Sequence, residues 1–332
     1  MNTDNEPRIK KIAAMVGCLC LGSPALSFAY NIVAAANAAN SAVCASAQPF
    51  YWEIGKSSGA PLVSGQAGGT TYTRTTTVDL ASSSKWIFSA YVLQRYAGPP
   101  TGTTGQQIVD ALDMKNGQTN MYDPWCLYTT TVWDCSLTWT NAWITPAYVG
   151  HFFYNSGHGQ AAAASPYHLN LGGLTVTTLL AEVNSYLNLG ASFSYADPAV
   201  SSGMKANGAD YAAFLQNIMN GTYVISRYLN YGPVATSPCD PGISGCSPFG
   251  TVDFHFSLNH WIEDNTGGTF PMHGTTLTSG DGAFSGPGAY GFYPWITSDK
   301  QYYGIISTEG AVGNYEYTIP CGRAIRAAFL GP

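Results

Sequence analysis

The sequence predicts an α+β fold: one antiparallel sheet drawn from both ends of the chain, flanked by helices, with a long helical insertion between the two sets of strands. Three observations predict it. Short runs rich in β-branched and aromatic residues stand at 49–65 and again beyond residue 251, bounded by Gly, Pro, Asn and Ser turns. The stretch between them carries apolar residues at helical spacing. Cysteines stand near both ends, Cys44 and Cys321, where a bond would staple the halves of the sheet together.

Taken in order, residues 1–29 read as a signal peptide. "MNTDNEPRIKK" is a positively charged start, an apolar run follows, and Ser27-Phe28-Ala29 offers small residues for cleavage. Pro24 breaks that run, so a stable membrane span is not expected. Lipoprotein anchoring at Cys18 is a minor alternative to secretion into the medium or periplasm. Residues 30–47 form an alanine-rich lead-in, and 48–332 read as a single domain. Its sheet region is 48–80 with 250–332, and its helical region is 81–249. "PFYWEIG" and "APLVSG" are the N-terminal strands. "ASSSKWIFSAYVLQRY" is a helix ended by Gly98-Pro99-Pro100, and "LTVTTLLAEVNSYLN" and "NGADYAAFLQNIMNG" are two more. "VDFHFSLNHWIED", "GAYGFYPWIT" and "QYYGIISTE" each read as one strand, and "CGRAIRAAFL" closes the chain as a helix.

The formal net charge is −6 and basic runs are absent, which excludes nucleic acid as a partner. Beyond the leader six cysteines remain: Cys44, Cys126, Cys135, Cys239, Cys246 and Cys321. In an exported chain they read as disulfides, with 15 pairings open to six cysteines. The short loops 126–135 and 239–246 suggest two bonds and leave Cys44 with Cys321. Zinc binding competes weakly, since neither C-x-x-C nor H-E-x-x-H occurs.

The chemistry concentrates in "DLASSSKWIFSAY". An alcohol needs a base within hydrogen-bond reach to act as a nucleophile. Residues three apart on a helix share a face, which sets Lys85 beside Ser82 at the first turn. Burial among Trp86 and Tyr91 would lower the lysine pKa and make it a base. The alternative is a serine cap beside a surface lysine. Chance S-x-x-K spacing is common enough that a second one occurs here, Ser202 to Lys205.

The surroundings of Ser82 resemble the nucleophile helix of the serine β-lactamase and penicillin-binding-protein superfamily, including its esterase branch. Three further stretches agree in order. "SSGMKANGADYAAFLQNIMNG" is similar to that superfamily's "SGL…T…DYARFLQ…LLNG" helix, and "FSLNHWIED" to the strand before its third motif. "FSGPGAYGFYPWITSDKQYYGIIS" is similar to the strand pair bearing K-T-G-x-G-x-Y-G. The resemblance spans roughly residues 48 to 330.

It implies Ser82 as the acylated nucleophile, Lys85 as its proton partner and no cofactor. The second motif, Y-x-N, falls on "FFYNSGHGQ" with Tyr154 as the acid/base and Ser156 where asparagine is usual. Shifting the frame by one saves Asn155 but loses the phenol. His158 is a further assisting candidate. In the third motif Phe284 replaces the lysine, followed by Ser285, Gly286, Pro287, Gly288 and Ala289. Loss of that cation disfavours carboxylate-bearing substrates. Proline lacks the N–H expected in the oxyanion hole, so either Gly288 or Ala289 donates instead or one donor is missing.

The expectation is an exported serine hydrolase acting through an acyl-enzyme on a small, oligomeric or polymeric ester or amide. The alternatives are a non-catalytic envelope or ligand-binding protein of the same fold and, less favoured, a true β-lactamase or DD-peptidase.

Overall fold

The computed structural model describes residues 30–138, 141, 143–264 and 267–331. The segment read as a signal peptide, with Cys18, lies outside the described residues. The alanine-rich lead-in is helix α1 (Ile32–Ala39), capped by Asn31, whose side chain accepts from the Ala34 N–H at 2.8 Å. Strands β1 (Phe50–Gly55) and β2 (Val63–Ala67) form a hairpin, and β3 (Thr77–Asp79) leads into α2 (Ser84–Tyr96).

The insertion continues through α3 (Gly102–Leu112), α4 (Val132–Leu137), α5 (Gly157–Ala164) and α6 (Val176–Leu187). Two short strands, β4 (Ser194–Tyr195) and β5 (Met204–Asn207), pair with β3 in a small separate sheet below α7 (Gly208–Met219). The chain then makes β6 (Val234–Ala235), β7 (His255–Ser257), β8 (His260–Glu263), β9 (Gly268–Thr269) and β10 (Thr276–Leu277). It closes with β11 (Ala283–Ser285), β12 (Tyr293–Ile296), β13 (Tyr303–Ser307) and α8 (Tyr315–Leu330).

The main sheet has eight strands in the order β2-β1-β13-β12-β11-β8-β7-β6, paired antiparallel throughout. The predicted mixed α+β class and the union of chain ends in one sheet are both present; the strand boundaries differ. "VDFHFSLNHWIED" is a hairpin, because Leu258 and Asn259 take φ of 43° and 65° and reverse the chain between β7 and β8. Residues 284–291 are not one strand: β11 ends at Ser285, hairpin hydrogen bonds continue from Gly286 and Gly288 to Pro294 and Phe292, and the chain turns at 288–291 before β12. The terminal helix starts at Tyr315 rather than Cys321, with Pro320 inside it. The Glu316 carboxylate, accepting from the Met272 and His273 N–H groups, helps fix its first turn.

Two apolar cores lie on the faces of the sheet. One, from Trp86, Phe214, Tyr211 and Phe284 outward, joins the sheet to α2, α6 and α7; the other, around Trp261, Trp295 and Phe329, joins it to α1 and α8. A buried ionic cluster ties α8 to the second face. Arg326 reaches Glu263 at 2.7 Å and Asp281 at 2.7 Å, with both Arg326 and Glu263 excluded from water. Disulfides join Cys44 to Cys321, Cys126 to Cys135 and Cys239 to Cys246, so the first of them clamps α8 to the lead-in. Three such bonds suit an oxidising compartment. Among the described residues no helix is long and apolar enough to cross a membrane.

Candidate active site

The serine triplet enters α2 through a 3-10 turn, Ala81–Ser83, with Ala81 at φ 43°, a conformation unfavourable for a residue with a Cβ. Helix α2 is buried on all sides from Ser84 to Leu93, which carries Lys85 into the interior with it. The three hydroxyls then separate. Ser83 Oγ donates to the Gly286 carbonyl at 2.5 Å, and Ser84 Oγ accepts from the Met204 N–H at 3.2 Å. Neither Ser82 nor Ser83 caps the helix with its side chain. Ser82 is half-buried, and its Oγ lies 3.1 Å from Lys85 Nζ.

Lys85 is 1 % exposed, and burial lowers its pKa to about 8 against the opposing pull of Asp123. Three groups surround its nitrogen: Ser82 Oγ, Ser156 Oγ at 2.8 Å and the Ser201 carbonyl at 3.2 Å. Ser156 Oγ in turn donates to Asp123 Oδ2 at 2.9 Å. The Tyr154 phenol lies near enough to Ser82 for that hydroxyl to pull its pKa down slightly, and its ring centroid lies 5.1 Å from Lys85 Nζ. Burial raises the Tyr154 pKa well above the usual phenol value, so the group stays protonated at neutral pH. Its ring packs on Trp261 and Phe256, with centroids 5.2 and 5.8 Å away. Tyr154, and not Phe153, stands beside Lys85; Phe153 stacks on Tyr148.

The other named residues fall as follows. Asn155 braces the loop: its Oδ1 accepts from the Met121 and Gly157 N–H groups at 3.2 and 2.8 Å, and its Nδ2 donates to the Met121 carbonyl. His158 does not reach Ser82. Its ring nitrogens meet Asn116 Oδ1 at 2.5 Å and the Phe153 carbonyl at 2.8 Å, and burial lowers its pKa to about 3, leaving it neutral. The second S-x-x-K is opened out on β5, where Lys205 pairs with Asp79 at 2.9 Å near solvent.

The segment after β11 lies against the nucleophile turn. A Cβ at Gly288 would collide with the Leu80 carbonyl oxygen, and one at Gly286 would press on Trp86 at 3.2 Å. Its backbone donors are largely engaged, which corrects part of the expected oxyanion strand. The Gly286 N–H bonds the Pro294 carbonyl at 3.2 Å and the Gly288 N–H bonds the Phe292 carbonyl at 2.8 Å. Ser285 lies buried within the β8–β11–β12 ladder, its Oγ without a partner among the described residues. The Ala289 N–H makes no hydrogen bond among the described residues. Phe284, which the resemblance aligned with the superfamily's lysine, is buried edge-on to His260 in the apolar core that packs under α2.

Sequence reasoning missed Asp123 and the Ser201 carbonyl. Asp123 carried one faint signal: between Asn116 and Gly150 the only charged residues are Asp123 and Asp134. The Ser201 contact depends on a loop more than a hundred residues away in the chain and left no local mark.

No family model matches the chain, and no curated protein matches it either. Solved structures do. A class C β-lactamase from Rhodobacter sphaeroides aligns with a TM-score of 0.56 at 14% identity, covering 90% of this chain and 99% of that one. A D-stereospecific amidohydrolase from Streptomyces gives 0.52 at 11% identity, over 87% and 97%. A β-lactamase from Mycobacterium bovis gives 0.52 at 15%, over 85% and 96%. The chain has the fold of the β-lactamase-like serine hydrolases. The start of α2, the loop before α5 and the segment after β11 meet one another, Ser156 reaching Lys85 and Gly288 passing against Leu80.

Proposed function

We propose that the protein is a serine hydrolase that cleaves an ester or amide through an acyl-enzyme on Ser82. One observation carries the reading: a buried lysine whose pKa is lowered to about 8 sits 3.1 Å from a half-buried serine, with a half-buried phenol beside them. The three groups come from two segments far apart in sequence, and packing buries Lys85 without closing off Ser82.

In the reaction, the Ser82 proton passes to neutral Lys85 as Oγ attacks the carbonyl carbon. The oxyanion forms beside the start of α2, where the Ser82 N–H and the helix dipole favour negative charge; Ala289 offers the second donor. Tyr154, held as a phenol, gives its proton to the departing oxygen or nitrogen and regains one from the Lys85 ammonium. Water then attacks the acyl-enzyme with Lys85 again taking a proton, and Ser82 is restored. The similar amidohydrolase and β-lactamases act on amide bonds, by their names, and this chemistry suits either amide or ester. Phe284 favours a substrate that is neutral at the place where a carboxylate would otherwise be held.

The test is labelling by a fluorophosphonate and turnover of nitrophenyl esters of graded acyl length, on wild type and Ser82→Ala. Labelling and turnover lost in Ser82→Ala support the enzyme. No labelling of the wild type supports instead a ligand-binding protein of this fold, a reading favoured by Pro287 and the engaged Gly288 N–H. Nitrocefin hydrolysis would point to the β-lactamase reading.

A further inference from the structure

We propose that Asp123 is a positioning residue for the attack of Ser82: by accepting the hydrogen bond of the Ser156 hydroxyl it leaves Ser156 only an acceptor toward Lys85 and the Lys85 lone pair nowhere to point but Ser82. The inference rests on the hydrolase reading above.

The argument is one of counting donors. A neutral lysine amine has two N–H bonds and one lone pair in tetrahedral array. Lys85 Nζ has three polar neighbours, Ser82 Oγ, Ser156 Oγ and the Ser201 carbonyl. A carbonyl oxygen only accepts, so one N–H goes to Ser201. A hydroxyl either donates or accepts, and Ser156 would be free to donate into the Lys85 lone pair and quench it. Asp123 removes that freedom. Its Oδ2 accepts the Ser156 O–H hydrogen bond at 2.9 Å, so the oxygen facing Lys85 can only accept the second N–H. The lone pair then faces Ser82, whose hydroxyl can donate. The same three contacts accommodate the ammonium formed after proton transfer, with Asp123 stabilising it through Ser156.

Two features set Asp123 apart from a structural carboxylate. Its other oxygen, Oδ1, is buried without a partner among the described residues, so Ser156 is the only hydrogen-bonded use of the side chain there. It also opens a 3-10 turn, Asp123–Tyr128, that the Cys126–Cys135 bond holds, beside the Met121 backbone that Asn155 clamps. Asn155 and Ser156 are neighbours, so one loop supplies both the brace and the relay. The other titratable groups around Lys85 are Tyr154 and His158, and neither bonds its nitrogen.

The experiment compares wild type, Asp123→Asn, Ser156→Ala, the double variant and Ser156→Asn. It reads the pH profile of the Ser82 fluorophosphonate labelling rate and the Lys85 13Cε titration by NMR, with Lys85 assigned by loss of its signal in Lys85→Met. In Asp123→Asn the amide can donate to Ser156, freeing that hydroxyl to quench the lysine. The plateau rate is expected to fall on the order of 10–100-fold, with the Lys85 midpoint moved to lower pH. The double variant is expected to be no slower than the slower single one, because both act in one chain. Ser156→Asn, able to accept from Lys85 and donate to Asp123, keeps most of the rate. Unchanged rates, or losses that multiply in the double variant, overturn the proposal. Absence of labelling in wild type would sink the hydrolase reading alone. The NMR arm then decides: a midpoint shift in Asp123→Asn that vanishes in the Ser156→Ala background supports the relay, and a shift of equal size in both overturns it.

Discussion

Replacing Lys85 by methionine should destroy acylation and yet make the protein more stable at neutral pH. The lysine is 1 % exposed, and burial lowers its pKa from 10.5 to about 8. At about 1.4 kcal/mol per unit, holding the charged form in the fold costs roughly 3 kcal/mol. The unfolded chain binds the extra proton between pH 8 and 10.5, so wild-type stability rises with pH across that window. The whole penalty is present below pH 8 and none of it above about 10.5. Methionine is one atom shorter and carries no charge. It gives up the hydrogen bonds to the Ser201 carbonyl and to Ser156 Oγ, about 1 kcal/mol each, which leaves a net gain of about 1 kcal/mol at pH 7 that becomes a loss of about 2 kcal/mol by pH 10.5. Urea unfolding of both proteins at pH 7 and near pH 10 measures this. On the kinetic side, wild-type labelling should fall about tenfold for each pH unit below 8, as the fraction of neutral amine falls. A Lys85→Met protein less stable than wild type at pH 7, equally stabilised at both pH values, or still labelled at the wild-type rate would refute the reasoning.

Tyr154→Phe removes the proton donor but keeps the ring that packs on Trp261; kcat should fall by roughly 10²–10⁴ with KM little changed, read from steady-state nitrophenyl-ester kinetics. Arg326→Ala takes from the fully buried Glu263 its closest cation, leaving it the Arg323 ion pair at 3.1 Å and the Tyr293 hydroxyl at 2.6 Å, and should destabilise the fold by roughly 3–5 kcal/mol. Chemical denaturation measures that loss, and Glu263→Gln in the same background should recover part of it. Together with the Ser82→Ala and Asp123→Asn experiments, these separate the chemistry of the cleft from the stability of the sheet.

Much of the architecture was legible because it follows from local periodicity. The helices over 84–96, 176–187 and 208–219 have apolar faces and terminal signals written into contiguous residues. The β7–β8 hairpin was not, since "FSLNHW" holds no Gly or Pro; Leu258 takes a positive φ there with its side chain in the core and its N–H bonded to Asp113 at 2.7 Å. The end of β11 was also missed. Gly286 and Gly288 look like strand residues in a motif, but Gly288 is where the chain passes too close to the Leu80 backbone for any side chain, and Gly286 sits tightly against Trp86.

The sequence by itself determined that Ser82 and Lys85 share one helical turn, because three-residue spacing on a helix is a local fact needing no other part of the chain. It also placed a phenol within a short loop and a phenylalanine where a cation is otherwise usual. Only the tertiary structure decided which of three adjacent serines keeps its hydroxyl beside Lys85, since Gly286 and Met204 claim the other two. The basicity of Lys85 was likewise decided there: burial by packing, and the acceptors Ser156 and Ser201, come from segments 71 and 116 residues along the chain. A lysine's pKa and the direction of its lone pair are properties of its neighbours, and those neighbours are set by the fold.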